Sequence, residues 1–175
     1  MRTAIVLAVT VLVPARALAA APEKLYYLGE VKLSSATGKA MGSQVILVEK
    51  ILDRDNAAIT ERAVVVRPDG KVEEYTVRLA VKEDNTFTAA DDARTLEGTG
   101  RLFGPAWKWT YFKATFKTKS GVRIEDENFM ADASVGTARK KVIGPDNQVI
   151  MYMDMSGKGI TPKTFEILRA GLIKK

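Results

Sequence analysis

In PDGKVEEYTVRLAVKEDN, residues 68–85, apolar side chains return at every second position: Tyr75, Val77, Leu79 and Val81 share one face, and Glu74, Thr76 and Arg78 share the other. That is the period of a half-buried β-strand, not of a helix. Both ends carry turn chemistry. Pro68 presets φ and Gly70 accepts a left-handed backbone, while Glu83-Asp84-Asn85 does similar work at the far end.

The same pattern extends in both directions. Runs rich in Val, Ile, Thr and aromatics recur roughly every ten residues. They predict strands near 25–33, 43–52, 57–67, 71–82, 86–89, 97–102, 106–117, 122–130, 135–143 and 148–155. Pro145-Asp146-Asn147 and Lys119-Ser120-Gly121 are further turns. Strands joined so tightly are antiparallel neighbours, and a meander of this length removes its open edges by closing. The expectation is an all-β fold, an antiparallel meander closing into a barrel of about eight to ten strands. One C-terminal helix is expected, with Thr161 as N-cap, Pro162 at the first helical position, and Phe165, Leu168 and Leu172 at helical spacing.

With 175 residues the chain has the length of one domain with a full core, and no linker or repeat divides it. It contains no His and no Cys. Imidazole and thiolate metal ligands, Ser-His-Asp and Cys-His catalysis and disulfides are therefore excluded. Carboxylate, Lys, Tyr or Ser chemistry remains, and no cofactor motif is present. The formal charge of +6 is mild. Arg139-Lys140-Lys141 and Lys174-Lys175 are small clusters rather than a basic stripe with stacking aromatics, which argues against a nucleic-acid surface and for a solvated face, with loose attraction to an anionic membrane surface between the two.

Arg2, the apolar run from Ala4 to Val13 and Ala17-Leu18-Ala19 form the pattern of a secretory signal peptide. The expected leader is 1–19, alternatively 1–21, and the expected mature unit is a single β-barrel domain over 20–175 in the periplasm or secreted. Nothing in the sequence sets the oligomeric state.

In the run 148–155, Val149, Met151, Met153 and Met155 share a face. Flexible thioethers suit either a gap-filled core or a surface that adapts to apolar ligands. The aromatic run holds Trp107, Trp109 and Tyr111 on one face and Phe112, Ala114 and Phe116 on the other. A β-bulge, burial of both faces, or an exposed platform would each explain the switch of phase. Among the acids, a turn over Ala131–Ser134 would pair Met130 with Val135, Asn128 with Thr137 and Asp126 with Arg139, as a lumenal or a surface ion pair.

The Gly-rich segment Gly98-Thr99-Gly100-Arg101-Leu102-Phe103-Gly104, running into Pro105-Ala106-Trp107-Lys108-Trp109-Thr110-Tyr111, resembles secreted bacterial lipocalin-like proteins, as do the export signal, the meander and the trailing helix. The resemblance implies a calycin-type barrel and a small apolar ligand. Gly29-Glu30-Val31 stands where the Gly-x-Trp of typical lipocalins would fall.

The chain therefore reads as an exported soluble binding protein for a small apolar or amphipathic ligand. The candidate ligand-binding residues are Tyr75, Val77, Leu79, Trp107, Trp109, Asp126, Arg139, Val149, Met151 and Met153. The alternatives are an envelope structural or interaction module with a filled barrel, or a carboxylate-dependent lyase or isomerase using Asp126 with Arg139 or a tyrosine.

Overall fold

The computed structural model describes residues 21–105, 107–132 and 135–173. The leader falls outside the described residues. The described chain forms ten strands, β1 (Glu23–Ser35), β2 (Ala40–Asp53), β3 (Ala58–Val66), β4 (Val72–Val81), β5 (Thr86–Asp91), β6 (Leu96–Phe103), β7 (Tyr111–Thr118), β8 (Arg123–Asp132), β9 (Val135–Ile143) and β10 (Val149–Gly159), followed by the helix α1 (Pro162–Ile173). Each strand pairs antiparallel with its neighbour in sequence, and β1 closes on β10 from Tyr27↔Gly159 to Ser35↔Met151. The barrel has no free edge, the outcome expected of so long a meander. No helix among the described residues is long and apolar enough to cross a membrane.

Two clusters share the interior. Under β2 to β7, Leu52, Ile59, Val77, Phe87, Ala89, Leu102 and Ala114 make a packed core, with Leu79 and Val81 against it. Its tightness shows at Gly100, where a Cβ would strike the Phe87 ring and the Lys113 carbonyl. The glycine there serves close packing of backbone and ring. The second cluster lies under β1, β2, β3 and β10 and comprises Val31, Ile46, Val48, Ala63 and Val65, with Met153 and Met155 against it.

The helix covers the outside of the barrel. Thr161 caps it as expected, its Oγ1 accepting from the Thr164 N–H at 3.2 Å. Phe165 is buried against Leu47 and Val64, flanked by Leu168 and Leu172, and its ring lies 4.9 Å from that of Tyr26. Ile167, on the opposite side, is exposed.

Two expectations need correction. β7 starts at Tyr111, not at 106, because the backbone turns before it: Gly104 has φ 114°, Trp107 has φ 61°, and the Lys108 N–H donates to the Pro105 carbonyl at 2.9 Å. The two tryptophans therefore sit in a loop, and no bulge or strand platform exists at that point. Phe112, Ala114 and Phe116 pack against or within the interior cluster. Tyr111 stacks on Phe129 at 4.6 Å and lies 5.1 Å from Phe103, on the other face.

The second correction is the β8–β9 register. Asp126 pairs with Lys140, not Arg139, and Asn128 with Ala138, not Thr137. β8 continues to Asp132 with an irregularity between Met130 and Asp132, which shifts the ladder by one residue. Asp126 keeps its inward phase on β8, while on β9 the inward place passes from Arg139 to Lys140.

Candidate functional site

The pleat explains how charged side chains come to line this barrel. Glu125-Asp126-Glu127 on β8 faces Arg139-Lys140-Lys141 on β9, with Glu125↔Lys141, Asp126↔Lys140 and Glu127↔Arg139 in register. Only this alignment matches all three acids with all three bases, a signal that the charge pattern carries and turn length does not. Alternation sends the middle pair inward and the flanking residues outward. There Arg139 is exposed and bonds Asp154 at 3.0 Å, Lys141 lies 3.5 Å from Glu125, and Glu127 lies 2.7 Å from Lys113.

Inside, Lys140 Nζ stands 3.0 Å from Asp126 Oδ2. The Asp126 side chain is 3% exposed, opposite Ala114 of β7, and its Oδ1 has no hydrogen-bond partner among the described residues. Burial works to lower the Lys140 pKa, yet the fields of Asp126, Tyr75 and Glu61 outweigh it and hold the ammonium above its ordinary range. Tyr75 is 36% exposed and is one of the residues lining a neighbouring cavity. Even so, loss of hydration within the barrel wall pushes its phenol up to about 12, with Lys140 opposing and Glu61 and Asp126 adding. Glu61 is paired in turn with Lys50 at 3.6 Å.

Next to this group the second interior cluster leaves a cavity of about 340 Å³. Its apolar lining is Val31, Ile46, Val65, Met153 and Met155; its polar lining is Gln44, Arg67, Glu73, Tyr75 and Lys140. Arg67 and Glu73, exposed beside the β3–β4 turn, bond each other at 2.8 Å. The volume falls at the small end of the ~300–1,000 Å³ range of ligand pockets, and a mixed lining of this kind suits an amphipathic molecule.

The structure brings some of the anticipated residues together and separates others. Tyr75 and Met153 line the cavity, and Asp126 touches it through Lys140. Val77 and Leu79 belong to the packed core. Trp107 and Trp109 also pack on that core, their rings 5.0 Å apart, with Trp109 Nε1 donating to Asn85 Oδ1 at 3.2 Å. Val149 and Met151 lie on β10 outside the lining, next to a register shift between them. Arg139 is on the outer face, bonded to Asp154, so the Asp126–Arg139 version of the carboxylate-dependent alternative is not formed, while its tyrosine version is untouched by the register. Lys140, Met155, Arg67, Glu73 and the lining residues of β1 to β3 were missed. Met155 follows from the Met-bearing face, but the β1 to β3 contribution depends on closure of β1 on β10, which no local pattern encodes.

No protein-family model matches the chain, and no curated protein matches it. Among solved structures, the ywiB protein from Bacillus subtilis is similar, with a TM-score of 0.39 and 12% sequence identity over 81% of this chain and 96% of that one.

Proposed function

We propose that this chain is an exported soluble protein of lipocalin-like type that binds one small amphipathic molecule inside its barrel. The observation that carries the reading is the cavity: about 340 Å³, with Met153, Met155, Val31, Ile46 and Val65 on one part of its lining and Lys140, Tyr75 and Gln44 on another. A barrel whose only task was structural would gain contact energy by filling that space. The two methionines supply an apolar surface that adjusts to the shape of its occupant. Export rests on the leader pattern in residues 1–19.

Titration with the uncharged dye N-phenylnaphthylamine tests the binding reading, with saturable fluorescence enhancement expected at one site per chain. Native mass spectrometry of the protein recovered from its own host should then show a co-purifying small molecule. A protein that neither enhances the dye nor carries a bound mass is a structural module, and the binding reading falls.

A further inference from the structure

We propose that the cavity selects an uncharged amphiphile whose polar end is a hydrogen-bond acceptor, a ketone, ester or amide carbonyl, over the corresponding carboxylate. The proposal rests on the binding reading above and names the ligand class for that same cavity. Its basis is the way the charges in and around the cavity are already matched. Lys140 Nζ lies 3.0 Å from Asp126 Oδ2, Lys50 Nζ 3.6 Å from Glu61 Oε2, and Arg67 Nη1 2.8 Å from Glu73 Oε1. Among the described residues each of these three cations has its own anion, so together they offer no net charge to a ligand.

A carboxylate set against Lys140 would stand beside Asp126 and within the field of Glu61, two anions around an ammonium that is already engaged. To take over the ammonium it must displace Asp126. That side chain is 3% exposed and would become an unpaired buried charge, one of the costliest states a folded protein can hold. A carbonyl asks for less. An ammonium has three N–H donors, and Asp126 occupies one of those of Lys140. Tyr75 lines the same cavity with a phenol that its surroundings keep protonated, a second donor. A neutral acceptor gains from both without displacing an anion, and the methionines with Val31, Ile46 and Val65 receive its alkyl body.

The test uses the full protein, N-phenylnaphthylamine as reporter, and octanamide and octanoate as competitors of equal chain length and nearly equal shape. Octanamide should displace the dye at a concentration at least about tenfold lower than octanoate, the difference being the cost of disturbing a buried ion pair. Asp126→Asn leaves Lys140 without its anion, and in that variant the order should reverse. Equal or better displacement by octanoate from the unaltered protein overturns the proposal while leaving the binding reading in place, and this comparison holds whether or not the variant folds. An unchanged order in a folded D126N protein also overturns it, since the pairing is then not what selects. Failure to bind the dye at all removes the binding reading and the proposal together.

Discussion

Lys140 has a base on either side of it, and only the pleat of β9 separates its chemistry from theirs. Arg139 and Lys141 face water, where exposed pairs contribute little, whereas Lys140 meets a carboxylate that is 3% exposed. Lys140→Met should therefore cost about 3 kcal/mol in urea unfolding, since it leaves Asp126 as an uncompensated buried anion. The double variant Lys140→Met/Asp126→Asn should recover most of that loss, because no charge is then stranded. Equal loss in both variants would show that lost packing, not lost pairing, sets the cost. Tyr75 supplies a pH test. Its folded pKa of about 12 lies above the ordinary value of 10.0, so the neutral phenol is favoured by folding. The stability it contributes is complete below the unfolded value and is lost as pH rises through the folded one, from about 10 to about 12. An ultraviolet difference titration should show a late tyrosine ionisation in the parent protein that Tyr75→Phe diminishes by one group.

At the scale of elements, α1 is held by one ring more than by its length. Phe165 is 4% exposed and seals Leu47 and Val64 on the outer barrel face, where no sheet edge or second layer would otherwise cover them. Phe165→Ala should cost about 3–5 kcal/mol, the usual range for a buried Phe, measured by denaturant unfolding. Ile167→Ala on the exposed side should change stability by under about 0.5 kcal/mol. This helix was legible in the sequence because its signals are local, a Thr-Pro start and apolar spacing. The strands were legible for the same reason, through alternation and turn residues. The start of β7 was not, since Trp107, Trp109 and Tyr111 alternate as a strand would while the positive φ angles at Gly104 and Trp107 break it. The β8–β9 register failed differently: an irregularity between Met130 and Asp132 shifted the ladder, and the opposed charge triplets were a better guide than the turn.

Among the described residues the interior divides into a packed part under β2 to β7 and a hollow part lined by β1, β2, β3 and β10 with Tyr75 of β4 and Lys140 of β9. Alternation in the sequence set Tyr75, Val77 and Leu79 on one face and Met153 and Met155 on another shared face, but not which of them face space. That depends on how a sheared barrel closes, and closure sets β1 against β10 across more than a hundred residues of chain. Tyr75 and Val77 are two residues apart on the same face of β4, yet one lines the cavity and the other is 8% exposed within the packed core. The division predicts opposite outcomes for one kind of substitution. Met153→Trp places a larger ring where about 340 Å³ is open, so it should leave the unfolding midpoint nearly unchanged and abolish dye binding. Val77→Trp forces the same ring against Phe87, Leu102 and Ala114, and should cost at least about 1–3 kcal/mol by overpacking. Dye binding, in the fraction of V77W that remains folded, should be retained, because the substitution adds volume on the side away from the methionines. If M153W were as destabilising as V77W, the interior would be filled throughout in solution, and the hollow half would have no capacity for a ligand of any charge.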